Sequence, residues 1–158
     1  MNVGSWLLWG FIATISLTLV TVSGQQLRFT RVNLPYLLGT LVTADRSRAR
    51  LYGTLLHLLN GWVFSIVYVL VFEALGRATW WVGALGGLIQ ALFVLAVAMP
   101  VMPGVHPRMA SEHAGPVARR QLEPPGMFAL HYGVPTPAVL ILSHLIYGSI
   151  LGAFYHLR

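Results

Sequence analysis

The sequence predicts an all-α integral membrane bundle. It has four transmembrane helices, an interfacial helix and a long ordered cytoplasmic loop, all in one membrane domain spanning 1–158. Three observations predict this. The 158 residues are 56% hydrophobic and only 9% charged, against about 25% charged in a soluble domain, so the charges are too few to cover a soluble fold. Four segments are apolar over roughly the 20 residues that a bilayer-spanning helix needs, at about 5–23, 51–75, 80–102 and 137–157. The ten basic residues, all Arg, are sorted by loop: Arg28, Arg31, Arg46, Arg48, Arg50, Arg108, Arg119 and Arg120 fall in loops 24–50 and 103–136, and only Arg77 and Arg158 fall elsewhere. By the positive-inside rule both long loops are cytoplasmic and both termini outside.

Each span is justified in turn. The first, 5–23, carries no charge; without a basic n-region or a small-residue cleavage site it reads as a retained helix. Asn33-Leu34-Pro35-Tyr36 then opens an apolar stretch too short to span, and Pro suits a first helical turn, so a short interfacial helix is expected there. Thr43-Ala44-Asp45 has the composition of an N-cap, which starts the second spanning helix below the membrane surface. The turn at 76–79 is tight and predicts that the second and third spans are antiparallel neighbours. Trp6, Trp9, Trp80 and Trp81 all fall at the outer ends of their helices, as an aromatic belt requires. Eight of the nine prolines lie between Pro100 and Pro137, and Pro100, Pro103 and Pro107 are expected to interrupt any helix there. In the same loop Met127-Phe128-Ala129-Leu130-His131-Tyr132 is apolar enough to pack back on the bundle.

The second and fourth spans carry a short repeat. His57-Leu58-Leu59-Asn60-Gly61 with Tyr68 matches His144-Leu145-Ile146-Tyr147-Gly148 with Tyr155, so His, Gly and Tyr recur at identical spacing on one helix face. Both spans run outward, which makes this a parallel repeat of two helix hairpins. It places His57 and His144 about 10 Å into their helices at 1.5 Å per residue, facing one another near the cytoplasmic end. Two imidazoles so placed are candidate ligands for haem or a metal, candidate proton carriers, or packing histidines hydrogen-bonded within the bundle.

Other polar groups fall within spans. Gln90, at mid-membrane on the Gly83–Gly87 face, is expected to point inward and bond another helix. Glu73 is expected to pair with Arg77 at i, i+4 or with His156 at similar height. Asn60 is a further intramembrane polar group. Gly10, Thr14, Thr18, Thr21 and Gln25 form one small or polar stripe in the first span, and Gly148 and Gly152 form a GxxxG in the fourth. Met99, Met102, His106, Met109 and His113 offer thioether and imidazole groups suited to copper(I), and Glu112, His113 and His131 offer zinc donors, though without the dense spacing of structural zinc sites. With no Cys, disulfides and thiolate chemistry are excluded. No P-loop, G-x-S-x-G or H-E-x-x-H is present and the acids number four, which leaves little material for an enzyme. The scattered Arg do not make a nucleic-acid-binding face.

Gly10-Phe11-Ile12-Ala13-Thr14, His57-Leu58-Leu59-Asn60-Gly61, the run from Gly83 to Pro100 and His144-Leu145-Ile146-Tyr147-Gly148-Ser149-Ile150-Leu151-Gly152 together resemble uncharacterised families of small four-helix bacterial inner-membrane proteins, loosely of the YagU-like type. The resemblance implies a location in the bacterial cytoplasmic membrane and brings no catalytic residues. The lipid bilayer is thus one partner. Three functions are expected: a structural or accessory subunit packing with other membrane chains or with itself, a haem- or metal-binding membrane protein using His57 and His144, and a small oligomeric transporter or channel using Gln90, Glu73 and the histidines.

Overall fold

Helix signals in the sequence map onto helices in the computed structural model, which describes residues 1–111, 119–120 and 122–157. The order is α1 (Val3–Gln26), α2 (Leu34–Val42), α3 (Arg46–Leu75), α4 (Trp80–Phe93), a π turn (Val94–Ala98), α5 (Met99–Val105), a 3₁₀ turn (Met127–Tyr132) and α6 (Thr136–Phe154). Among the described residues there is no strand, only one isolated bridge between Met109 and Leu122. Four helices are long and apolar enough to cross a membrane: Val3–Gln26, Arg46–Leu75, Trp80–Val105 and Thr136–Phe154.

Local chemistry sets the boundaries. Asn2, Asn33 and Asp45 cap α1, α2 and α3, each accepting a backbone N–H three residues on, from Ser5 at 3.1 Å, Tyr36 at 2.8 Å and Arg48 at 2.7 Å. Gly76 ends α3 at φ +59°, a conformation that needs no Cβ. In α1 the hydroxyls of Thr14, Thr18 and Thr21 donate to carbonyls four residues back, which hides them within an apolar helix.

Three expectations are corrected here. The third span does not stop at its prolines: it runs through Pro100 and Pro103 to Val105. The π turn just upstream bonds Met99 N–H to the Val94 carbonyl, and this wider ladder admits the Pro100 ring without a break. The fourth span ends at Phe154, short of residue 157, because Tyr155 turns extended at ψ 124°. And α3 and α4, though joined by a tight turn, do not pack backbone to backbone. The close pairs are α4 with α6, α2 with α3, and α1 with both α6 and α3. The side chain of Tyr68 in α3 stands against Gly86 of α4, holding the two apart. The glycine face of α4 instead meets the glycine face of α6, where both surfaces are small enough for close approach.

At the α4–α6 seam a Cβ at Gly83 would lie 1.9 Å from the Gly148 carbonyl oxygen, and one at Gly148 would lie 2.0 Å from that of Gly83. The same close approach seats α2 across the start of α3, with Gly39 against Ala49 and Gly53 against Pro35. In the other hairpin Gly61 of α3 receives Thr14 of α1, so the glycines that match in the repeat do matching work.

The two ends of the bundle differ. At one, Asn2 N–H donates to the Tyr155 hydroxyl at 2.8 Å and His156 N–H to Ser5 at 3.0 Å, and Trp9 stacks on Phe154 at 4.5 Å; this is the tryptophan end. At the other, α2 and the described part of the 103–136 connection gather. Thr30 and Thr136 share a hydrogen bond of 2.7 Å, Arg31 N–H donates to the Tyr132 carbonyl, and the Arg31 guanidinium grips Glu123 at 2.9 Å and 3.2 Å. Met127–Tyr132 packs back as expected, burying Ala129 and Tyr132 against Met109, Leu95 and Val32. Burial and the neighbouring Glu123 charge push the Tyr132 phenol up to about 12. This is the arginine end.

The exterior is more apolar than that of a soluble protein, and polar groups join the apolar core. Leu19, Leu55, Leu70, Leu85 and Ile89 lie exposed around the outside, while Thr14, His57, Ser65, Ser143 and His144 are buried within. An apolar exterior with a hydroxyl- and imidazole-bearing interior suits hydrocarbon as the surrounding solvent.

Candidate functional site

The interior polar groups form a ladder between α1, α3, α4 and α6. On the tryptophan side of its middle, Trp6 Nε1–H donates to Ser65 Oγ at 2.8 Å, and Ser65 donates in turn to the Trp62 carbonyl at 2.5 Å. From one turn further along α3, the Tyr68 hydroxyl donates to Gln90 Oε1 at 2.6 Å. Gln90 thus points inward and bonds another helix, as its place on the small face predicts. Tyr147 stands edge-on to Tyr68 at 5.3 Å, and its hydroxyl donates to the Gly61 carbonyl at 2.6 Å. That bond ties α6 to α3 immediately outward of the histidines.

His57 and His144 come next, both more than nine-tenths buried and close enough to interact electrostatically. Their hydrogen bonding differs. His144 Nδ1 lies 2.8 Å from the Leu140 carbonyl; a carbonyl only accepts, so the proton sits on Nδ1 and the lone pair on Nε2. His57 Nε2 has no partner among the described residues. A buried polar atom left unpaired costs about 1–3 kcal/mol. The two histidines thus differ: His144 has a carbonyl partner in its own helix, and His57 keeps one ring nitrogen without a partner among the described residues.

Two imidazoles offer two nitrogen ligands, or one shared proton or water. No third His, Cys, Asp or Glu joins them: among the described residues no group of three such side chains converges. Neither His57 nor His144 lines the cavities at the arginine end. Two imidazole donors suit a small occupant: a proton, a water molecule or a two-coordinate cation.

The remaining candidates separate. Glu73, at the tryptophan end, accepts from the Tyr155 hydroxyl at 2.6 Å and faces the chain's amino group at 3.4 Å. Neither Arg77 nor His156, the two expected partners, supplies these contacts. His156 contributes its backbone N–H to Ser5. Asn60 is exposed on the outer surface of α3. At the arginine end His106 is buried with both ring nitrogens engaged: Nε2 donates to the Leu37 carbonyl at 3.0 Å, and Nδ1 accepts from Arg108 N–H at 3.1 Å. Burial holds its imidazole below the usual histidine range, opposed by the Leu37 hydrogen bond and helped by the Arg108 charge. Met109 is wholly buried in an apolar cluster with Leu95 and Met99. His113 and Glu112 lie outside the described residues, as does Arg158. His131 Nδ1 donates to the Pro124 carbonyl at 3.0 Å.

Sequence reasoning missed Ser65 and Tyr147 as members of the ladder. A signal was available for Tyr147, which lies three residues after His144 on the face that carries Gly148. No protein-family model, curated protein or solved structure matches the chain.

Proposed function

We propose that the chain is a polytopic protein of a bacterial cytoplasmic membrane, with both termini outside and the arginine end in the cytoplasm, and that it is a structural or accessory subunit packing with other membrane chains. The observation that carries the packing role is Asn60. It sits halfway along the 30-residue α3, exposed, and among the described residues its carboxamide has no hydrogen-bond partner. In hydrocarbon an amide without a partner is unfavourable, and a polar group on a facing helix relieves it by about 0.6–2 kcal/mol. The glycine faces are already taken inside the bundle, so Asn60 and its neighbours Val63 and Val67 are the surface offered to another chain.

A photo-crosslinking amino acid placed at position 60 or 63 tests this in native membranes, with position 89 on α4 as the control. Crosslinks to protein from 60 and 63 but not 89, weakened by Asn60→Leu in a chain labelled at 63, support the reading. Lipid adducts alone from all three positions, with a single-chain mass in native mass spectrometry, overturn it.

A second reading is favoured by the unpaired Nε2 of His57: a small cation or a mobile proton held between His57 and His144. Metal content and the absorption spectrum of protein purified in mild detergent test the cation. Binding of copper(I) at one equivalent, lost in both His57→Leu and His144→Leu, supports it. No stoichiometric metal in either apo or loaded protein removes it. Transport has no comparable observation behind it, since Gln90 is committed to Tyr68.

A further inference from the structure

A cavity of about 920 Å³ lies at the arginine end between α2, the first turns of α3 and the connection that carries Arg108 and Arg119. Its walls bring Arg46, Arg50, Arg108 and Arg119 together with Asn33 and Tyr36, and among the described residues no acidic side chain lines it. Segregating Arg to one side of a membrane protein requires only that the charges lie near the helix ends. It does not require four of them, from segments more than 50 residues apart, to converge on one hollow.

The convergence is electrostatically unfavourable as it stands. Arg46 and Arg50 are four residues apart on one face of α3, a like-charge pair. They also sit in the first turns of that helix, where the macrodipole is positive and the N-cap Asp45 supplies one negative charge against the two. The chain has four acids, and those described each have another partner. Glu73 is at the opposite end of the bundle, Glu123 is held by Arg31, and Asp45 caps α3 through Arg48 N–H. Glu112 lies outside the described residues. Arg108 is already oriented: its guanidinium donates to the carbonyls of Thr40 and Leu41 at the end of α2. Asn33 and Tyr36 add neutral polar groups to the wall. Several guanidiniums with fork geometry around a hollow of this size match the oxygens of a phosphate.

We propose that this cleft binds an anionic phosphate group, either the headgroup of an anionic phospholipid or a free phosphate compound. The inference does not depend on the packing role assigned to Asn60. In both cases the phosphate oxygens take the Arg46 and Arg50 side chains, and Arg108 and Arg119 close the opposite wall.

The test uses full-length protein, stripped of lipid in a neutral maltoside detergent and free of phosphate buffer. It is titrated separately with short-chain phosphatidylglycerol, short-chain phosphatidylcholine and sodium pyrophosphate, and bound adducts are counted by native mass spectrometry. The expected result is one saturable anionic adduct per chain, weakened about tenfold or more in Arg46→Gln/Arg50→Gln and unchanged in Arg77→Gln at the other end. Phosphatidylglycerol binding without pyrophosphate binding assigns a lipid headgroup; pyrophosphate binding of equal or greater strength assigns a free phosphate compound. Arg119→Gln, outside any helix, is the second variant if the double variant fails to fold, and it should weaken binding at least threefold. The proposal is overturned if neither anion binds saturably, if the cleft variants bind as the wild type does, if phosphatidylcholine binds as well as phosphatidylglycerol, or if Arg77→Gln loses as much as they do.

Discussion

Replacing Gly148 with alanine puts a methyl group where α4 and α6 touch. The added Cβ would lie 2.0 Å from the Gly83 carbonyl oxygen, 2.7 Å from its carbonyl carbon and 3.1 Å from Gly87 N. A carbon–oxygen contact settles near about 3.3 Å, so the helices must separate by roughly 1.3 Å at that point. Neither obstacle is a flexible side chain; both are helix backbone. A gap of even 0.5–1 Å forfeits roughly a quarter to a half of each dispersion contact along the seam, and Gly87 against His144 and Gly152 against Thr79 share that seam. Overpacking of this kind costs about 1–3 kcal/mol, against which alanine's better helix propensity returns up to about 1 kcal/mol. A net loss of about 1 kcal/mol is expected. Gly104→Ala in α5 is the matched control, since nothing lies within 4 Å of its added Cβ, and there the propensity gain stands alone. Thermal unfolding in detergent, followed by circular dichroism, should show Gly148→Ala melting several degrees below wild type and Gly104→Ala at or above it. Equal melting temperatures for the two variants would refute backbone contact between α4 and α6.

Other substitutions test separate parts of the fold. Asp45→Ala removes the cap of α3 and should lower stability by about 1 kcal/mol, while Asp45→Asn, which keeps the accepting oxygen, should restore most of it in the same melt. Tyr147→Phe deletes the hydroxyl bond to the Gly61 carbonyl and should cost about 0.6–1.5 kcal/mol, with the helical circular dichroism signal at low temperature unchanged. Arg31→Gln breaks an ion pair whose side chains are 65% and 45% exposed, so its effect should stay within about 1 kcal/mol and shrink further in high salt. His106 has a depressed folded-state pKa, so its neutral form is favoured on folding. Its contribution is complete above the unfolded value of about 6.5 and declines as pH falls below it. The wild type minus His106→Gln stability difference, measured by unfolding between pH 7.5 and 4.5, should therefore shrink on acidification; a difference that grows would reverse the sign of the argument.

Much of the site was hidden in the sequence for a physical reason. The repeat placed His57 and His144 on equivalent faces, and their depth followed from counting residues along a helix. What separates them is the local partner. His144 reaches back to the Leu140 carbonyl in its own helix, while His57 Nε2 has no such bond, and no spacing rule distinguishes the two. Glu73 shows the same limit. Its nearest sequence neighbour of opposite charge is Arg77, but the hydroxyl that arrives from α6 is that of Tyr155. The metal-like series at 99–113 read as ligands because thioethers and imidazoles were spaced regularly; in the fold, Met109 fills an apolar cluster and His106 is held between Leu37 and Arg108.

The amino-acid sequence by itself determined the helical class, the four long apolar segments, the cap at Asp45, and the collection of arginines into two connections. These properties are local: hydropathy, capping and a left-handed glycine act within a turn or two of the chain. Only the tertiary structure decided that α4 turns its glycine face to α6 and away from α3, that His57 Nε2 has no partner among the described residues, and that Arg46, Arg50, Arg108 and Arg119 share one cleft. Those outcomes depend on which surfaces are small enough or complementary enough to meet. Tyr68 decides one of them by its bulk, keeping α3 from α4 while its hydroxyl reaches Gln90.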